Sequence, residues 1–198
     1  MVRQIRLALW LLVAVALGAL AYLAWRPAPV APSANSMPMA KLGGPFTLIG
    51  ADGKAFSSAR LNGRPYAIFF GFTHCPDVCP TTLARLARLR TQLGQGEKAF
   101  DILFVSVDPE RDGPTDVGRY AALFGSPVIG LTGSQEQIDQ VKKQFGIFSE
   151  KVPDGDGGYT VDHTATVLLF DKAGKFDSTI APEEPDQAAL AKLERISA

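Results

Sequence analysis

The sequence predicts an α/β fold in which helices flank a central mixed, largely parallel β-sheet, behind a single N-terminal transmembrane anchor. Three observations support this prediction. Strand-like apolar runs at 65–73 and 101–108 alternate with segments of helical periodicity, which is typical of such sheets. The hydrophobic share of 46% is enough for a substantial core in a chain of 198 residues. An uncharged apolar run at 7–25 precedes the folded part.

The N-terminal run has the features of a membrane anchor. Arg3 and Arg6 precede residues 7–25, and a helix of that length reaches about 28 Å, roughly the hydrocarbon thickness of a bilayer. We therefore predict a cytoplasmic segment at 1–6 and a transmembrane anchor at 7–25. The competing interpretation is a cleaved signal peptide, because small residues occur at peptidase spacing around Ala19. Both interpretations export the folded domain.

The segment after the anchor is rich in Pro, Ala and Ser, which predicts a flexible linker at 26–42 and a folded domain at 43–198. That domain begins with an alternating stretch around Ala51-Asp52-Gly53, a composition that favours a β-hairpin. The continuous apolar run at 65–73 then predicts a strand buried on both faces.

Helical periodicity follows the first buried strand, because leucines at 83, 86, 89 and 93 share one helical face. Ser134 and Gln137 have the spacing of a capping box at the start of another helix. The other expected elements are strands at 101–108 and 128–133, helices at 114–125, 134–146 and 184–197, and two strands within 164–180 joined near Ala173-Gly174.

Composition excludes two broad classes of protein. Lysine plus arginine equals aspartate plus glutamate, at 20 each, so nothing in the charge predicts a nucleic-acid partner. Two cysteines are too few for a disulfide-framework scaffold, so the hydrophobic core must hold the fold.

Both cysteines, Cys75 and Cys79, lie in the stretch GFTHCPDVCPTTL, directly after a buried strand and at the start of a helix. This is the thioredoxin arrangement with one residue added between the cysteines. A helix N-terminus lowers the pKa of a thiol through its dipole and its free N–H groups. A purely structural disulfide here would close a very short loop and would stabilise the chain little. A redox pair and a metal site both remain open.

The metal interpretation depends on the two histidines. A closed zinc site would need His74 as a fourth donor, but its side chain diverges from that of Cys75 in extended backbone. Cys75, Cys79 and the distant His163, in GYTVDHTAT before a buried strand, form a more natural set of three donors. Soft thiolates favour Cu(I), and two sulfurs with one nitrogen suit three-coordinate copper.

Four stretches together resemble the Sco (SenC-type) proteins, the copper chaperones of cytochrome c oxidase assembly: FFGFTHCPDVCPTTL, VSVDPERDGP, GLTG and GYTVDHTA. The resemblance runs from about Gly43 to the last strand. It implies a thioredoxin-like fold, a single-pass anchor in the bacterial inner membrane and a domain on the periplasmic side. It also implies copper, as Cu(I), Cu(II) or both, held at Cys75, Cys79 and His163, while His74 is not a ligand position.

One position departs from the family pattern, because Gly113 stands where Thr usually follows DPERD. If this position caps the helix that begins at Pro114, glycine is a weaker cap by a few tenths of a kcal/mol. Asp108 and Asp112 are expected to order the same loop.

Two functions follow from the resemblance and the motif. The first is a metallochaperone that delivers copper to the subunit of cytochrome c oxidase that bears the dinuclear copper centre, CuA. It requires a copper donor and a thiol reductant, and the sequence identifies neither. The second is a thiol–disulfide oxidoreductase that keeps the target's cysteines reduced through a Cys75–Cys79 disulfide. The sequence does not decide between them, so whether the protein is an enzyme stays open.

Overall fold

The computed structural model describes residues 42–155 and 157–198, together with positions 3, 4, 6, 10, 15, 17, 18 and 22, which are helical. The chain divides into two compact units, Met1–Met37 and Pro38–Ala198. Within the described residues, no helix is both long enough and apolar enough to cross a bilayer. The predicted segments 1–6, 7–25 and 26–42 fall largely outside the described residues, so they stay predictions.

Seven strands form the main sheet in the spatial order β2-β1-β5-β4-β3-β8-β9, and two further strands, β6 and β7, form a separate ribbon. The strands are β1 (Thr47–Gly50), β2 (Ala55–Ser57), β3 (Tyr66–Gly71), β4 (Asp101–Ser106), β5 (Ile129–Thr132), β6 (Ser149–Pro153), β7 (Tyr159–His163), β8 (Val167–Phe170) and β9 (Phe176–Ile180). Hairpins lie at both ends of the sheet, as the turn signals near 51–53 and 173–174 predict.

The sheet is mixed, but the prediction that it is largely parallel is wrong. Only the central strands β3, β4 and β5 pair in parallel, while the other four pairings are antiparallel. Two of these antiparallel pairs are hairpins, because a turn of four or five residues can join only antiparallel neighbours. The other two, β1–β5 and β3–β8, join strands far apart in the chain, so no local signal fixes their direction. The parallel strands are separated by helical crossovers.

Four helices flank the sheet: α1 (Val78–Gln92), α2 (Pro114–Ala121), α3 (Gln135–Phe145) and α4 (Asp186–Ser197). The leucine periodicity is confirmed, since Leu83, Leu86 and Leu89 on α1 are almost completely buried. The capping box is also confirmed, because the N–H of Gln137 donates to Ser134 Oγ and the Gln137 side chain accepts from the N–H of Ser134. The predicted α/β architecture therefore forms.

Strands β3 and β4 are buried on both faces, which explains their continuous apolar runs. Large aromatic side chains fill the space around them and are fully excluded from solvent: Phe69, Phe70, Phe100, Phe104, Phe145 and Phe170. At roughly 25 cal/mol per Å² of apolar surface, this burial is the main source of stability. It also fixes where β3 ends, and the cysteine segment emerges from that end.

The two-stranded ribbon was not predicted as such. From the sequence, His163 is expected in a loop just before a buried strand, whereas in the structure it is the last residue of β7, opposite Ser149 of β6. Most ribbon residues are exposed or half-buried, so the apolar alternation that identifies a strand is weak here. The Gly- and Asp-rich stretch between Pro153 and Tyr159 joins the two strands.

Candidate metal centre

The cysteine segment connects the end of β3 to the first turn of α1. Cys79 lies in that first turn and is completely buried, while Cys75 lies before the helix and is half-buried. The backbone N–H of Cys79 donates to Cys75 Sγ at 3.3 Å. The helix N-terminus thus supplies a hydrogen bond to the more exposed sulfur, as the motif predicts.

Gly71, the last residue of β3, makes room for the buried thiol. A β-carbon at this position would lie 2.6 Å from Cys79 Sγ and 3.1 Å from the rings of Phe69 and Phe104. Such a contact is far shorter than non-bonded atoms tolerate. No local signal in the sequence identifies Gly71, because its role depends on the packing of α1 against the sheet.

The imidazole of His163 faces Cys79. Its Nε2 atom lies 3.4 Å from Cys79 Sγ, and its Nδ1 atom lies 3.1 Å from the carbonyl oxygen of Thr164. A carbonyl oxygen only accepts, so Nδ1–H donates and the lone pair of Nε2 points toward the thiol. The rings of Phe69 and Phe72 meet the imidazole edge-on, at 5.9 and 5.8 Å between centroids.

The structure brings the three predicted donors together. The sulfurs of Cys75 and Cys79 and a ring nitrogen of His163 all lie within 4.8 Å of one another. Metal–sulfur bonds of about 2.3 Å allow two sulfurs on one ion to be up to about 4.6 Å apart, so the three donors fit a single ion with little movement. Two thiols and one imidazole are a donor set suited to copper.

His74 is not part of this cluster. Its ring is more than half exposed, and Nδ1 lies 3.5 Å from a carboxylate oxygen of Asp112 and 3.2 Å from the hydroxyl of Thr73. The prediction that His74 points away from the donor set agrees with this geometry.

The pKa values of the two thiols are shifted in opposite directions. The hydrogen bond with Cys79 is the largest effect that lowers the pKa of Cys75, to about 4, and His163 and the backbone N–H of Cys79 add to it. The same hydrogen bond, together with burial, raises the pKa of Cys79. At neutral pH the site therefore contains one thiolate at Cys75 and one protonated thiol at Cys79. No disulfide joins the two cysteines in this structure.

Asp112 holds the cysteine segment in place. Its completely buried carboxylate accepts hydrogen bonds from the N–H and the hydroxyl of Thr73, at 2.8 and 2.6 Å, and from the hydroxyl of Ser106 at 2.6 Å. Three hydrogen bonds satisfy a buried charge that would otherwise be costly. The expectation that Asp108 and Asp112 order the loop before α2 is also confirmed, because the N–H of Asp112 donates to the carbonyl oxygen of Asp108.

Gly113 does occupy the cap of α2. It precedes Pro114 in extended backbone, and its N–H donates to the carboxylate of Asp116 at 3.0 Å. The Asp116 carboxylate thus satisfies the backbone of a residue that has no capping side chain of its own.

Comparisons with known proteins decide the family. The model of the family described as SCO1/SenC matches residues 34–198. This chain belongs to the SCO1/SenC family. A SCO2-like protein of Rickettsia prowazekii is 38% identical over 138 residues, which cover 69% of this chain and 67% of that protein. The mixed sheet with its flanking helices is the thioredoxin-like fold of Sco proteins.

Two solved Sco structures bear on the site. The structure of Bradyrhizobium japonicum ScoI with copper bound is 40% identical, has a TM-score of 0.71, and the match covers 78% of this chain and 99% of that one. The structure of BsSco is 28% identical with a TM-score of 0.62, covering 79% and 94% of the two chains. That work describes a disulfide switch in BsSco and calls the Sco proteins cytochrome c oxidase assembly proteins.

Proposed function

We propose that this protein is a copper metallochaperone that binds copper through Cys75, Cys79 and His163 and delivers it to the CuA-bearing subunit of cytochrome c oxidase. The observation that carries the proposal is the convergence of all three donor atoms within 4.8 Å. The copper bound to Bradyrhizobium ScoI, a relative of similar fold, supports the choice of metal.

The acidities of the two thiols suggest how copper is loaded. The Cys75 thiolate is half-exposed and already charged, so it makes the first bond to an arriving copper ion. Cys79 must then lose its proton, and Nε2 of His163 is close enough to accept it. The imidazole must pass this proton to solvent before Nε2 itself binds copper, so loading at neutral pH releases one proton, as is general for thiol ligands. The metal supplies the attraction that offsets the high pKa of Cys79.

Delivery is the reverse exchange of ligands and needs no change in the oxidation state of Cu(I). A thiolate of the oxidase subunit replaces Cys75 first, because Cys75 is the more exposed ligand and Cys79 is completely buried. The donor that loads the site and the reductant that keeps both thiols free are further partners, which we define by these chemical roles alone.

The location of the domain is part of the proposal. The apolar run at 7–25 anchors the chain once in the bacterial inner membrane, with 1–6 in the cytoplasm. The linker at 26–42 then tethers the copper-binding domain, 43–198, on the periplasmic side, where a membrane-bound target would meet it.

The first experiment measures copper stoichiometry and coordination on the reduced chain, with X-ray absorption to count sulfur and nitrogen neighbours. We expect one copper with two sulfur neighbours and a nitrogen neighbour that His163→Ala removes. No stable copper on the reduced wild-type chain would refute the chaperone function, and an unchanged nitrogen shell in the variant would refute the ligand assignment.

The second candidate function is thiol–disulfide exchange, which the low pKa of Cys75 favours. The Cys75 thiolate would attack a disulfide of the target and form a mixed disulfide, releasing one target thiolate. Cys79, after giving up its proton, would attack the Cys75 sulfur and release the second target thiolate. The products are a dithiol on the target and a Cys75–Cys79 disulfide on this protein, which an external thiol reductant must reduce.

Replacing His163 does not cleanly separate these two functions. Disulfide exchange does not in general require an imidazole, but here Nε2 lies 3.4 Å from Cys79 Sγ and can also accept the proton of the resolving thiol. The variant His163→Met separates the two roles, because a thioether binds Cu(I) but is not a base at neutral pH. A chaperone should recover much of its Cu(I) affinity in His163→Met relative to His163→Ala, while exchange that needs the base stays slow in both.

A further inference from the structure

We propose that the segment Asp108–Asp112 clamps both halves of the copper site together, and that Tyr159 is the positioning residue through which this clamp sets the orientation of His163. The inference rests on the proposed copper site, and it assigns a role to residues that do not contact the metal. The clamp here means residues 108–112 only.

One end of the clamp holds the cysteine half of the site. Asp112 accepts two hydrogen bonds from Thr73, which precedes Cys75 by two residues in the same connection. The backbone of Asp112 is itself tied to β5, because the hydroxyl of Thr132 donates to its carbonyl oxygen at 2.8 Å.

The other end holds the ribbon that carries His163. The hydroxyl of Tyr159 donates to Asp108 Oδ1 at 2.9 Å, and Nη1 of Arg111 donates to the carbonyl oxygen of Tyr159 at 2.8 Å. The guanidinium carbon of Arg111 lies 3.8 Å from the centroid of the Tyr159 ring, within the range of a cation–π contact. Arg111 also pairs with the completely buried Asp108 at 2.5 Å. Tyr159 thus contacts the clamp through its hydroxyl, its ring and its backbone carbonyl.

A second strand of the ribbon makes a weaker contact with the same clamp. The ammonium group of Lys151 on β6 lies 2.6 Å from a carboxylate oxygen of Glu110 and 4.7 Å from the Tyr159 ring centroid. This pair is largely exposed, and exposed ion pairs contribute little. The clamp therefore acts on the ribbon mainly through Tyr159.

The geometry of the ribbon explains why the contacts of Tyr159 affect the orientation of His163. The two residues are the first and last of β7, four positions apart, so their side chains leave the strand on the same face. Strands β6 and β7 pair with each other and with no other described strand. A two-stranded ribbon alone is marginally stable, so its orientation depends on such side-chain contacts. The clamp also reaches the imidazole indirectly, through Phe72. The guanidinium carbon of Arg111 lies 5.8 Å from the centroid of the Phe72 ring, and that ring packs edge-on against His163.

The test is a double-mutant cycle on Cu(I) affinity, measured on the full chain by competition with a coloured Cu(I) chelator. Tyr159→Phe removes the hydroxyl bond to Asp108 and keeps the ring on Arg111, while Tyr159→Ala removes both. We expect Tyr159→Phe to weaken Cu(I) binding about tenfold and Tyr159→Ala more, in line with other groups that orient metal ligands. Tyr66→Phe is the matched control, because Tyr66 lies at the opposite end of β3 and its ring stacks on Phe170.

The decisive comparison repeats Tyr159→Phe in the His163→Ala chain. If Tyr159 acts through His163, its substitution should change Cu(I) affinity less than twofold once the imidazole is gone. X-ray absorption should show a longer or more disordered copper–nitrogen distance in Tyr159→Phe, with both sulfur distances unchanged. An equal loss of affinity in both backgrounds, or unchanged affinity with a lower Tm, would overturn the positioning role. Failure of the copper-site proposal is a separate result, because wild type itself would then bind no copper.

Discussion

Nε2 of His163 lies 3.4 Å from Sγ of Cys79, although 84 positions of sequence separate the two residues. One residue is in the first turn of α1 and the other ends β7, so the contact exists only when the sheet, the helix and the ribbon are all in place. Copper binding at this pair is therefore expected to stabilise the folded state, because the unfolded chain does not hold the three donors together.

The reactivity of Cys75 should not depend on pH near neutrality. Because the pKa of Cys75 is lowered to about 4, its thiolate should be fully present at neutral pH and should become protonated only as the pH falls through about 4. Alkylation by iodoacetamide, followed by mass spectrometry, should modify Cys75 at a rate that is constant from pH 6 to pH 8. Cys79 should stay unmodified, because the hydrogen bond to Cys75 and burial raise its pKa. A rate that rises tenfold per pH unit across this range would show an ordinary thiol.

Gly71→Ala should damage the site without removing a ligand. The added β-carbon would lie 2.6 Å from Cys79 Sγ, so the sulfur or the helix must shift. We expect Cu(I) affinity to fall at least tenfold and stability to fall by about 1–3 kcal/mol, as for other overpacked cores. Gly130→Ala is the control, since its β-carbon would meet the Val117 carbonyl oxygen at 2.5 Å instead of a thiol. Equal losses of copper affinity in both variants would argue against a local effect.

Asp112→Asn should loosen the cysteine segment. An amide keeps the size of the side chain, but its NH2 group would face a donor where the carboxylate now accepts from Thr73 or Ser106. We expect a loss of about 2–4 kcal/mol in the free energy of unfolding, measured by urea denaturation. Asp116→Asn at the partly exposed start of α2 is the comparison and should cost well under half as much. A loss no larger than that of the comparison variant would contradict the role assigned to Asp112.

Oxidation of the two cysteines should abolish copper binding. A Cys75–Cys79 disulfide would remove both thiolates from the donor set and leave a single imidazole. The oxidised chain should therefore retain less than one tenth of a copper equivalent after gel filtration, and dithiothreitol should restore full binding. A Cys75→Ser/Cys79→Ser chain should bind no copper under either condition. Tight copper binding by the fully oxidised chain would show that another site holds the metal.

Much of the fold was predictable because its signals are local. The apolar run that becomes β3 and the leucines of α1 identify their elements without reference to the rest of the chain. The ribbon leaves little signal in the sequence, because its strands are mostly solvent-facing and their alternation is weak. The balance of parallel and antiparallel pairs is not predictable from the strands themselves, since strand direction depends on which strands become neighbours and not on the composition of each one.

The local sequence specifies which groups are available for chemistry: two cysteines at the end of a buried strand, and one histidine in the motif GYTVDHTA. How these groups act depends on the folded chain. It places His163 against Cys79, gives Cys79 a space that Gly71 leaves open, and makes Cys75 the acidic thiol. The physical reason is that distance, burial and hydrogen bonding set both ligand geometry and pKa, and all three depend on contacts between segments far apart in the chain.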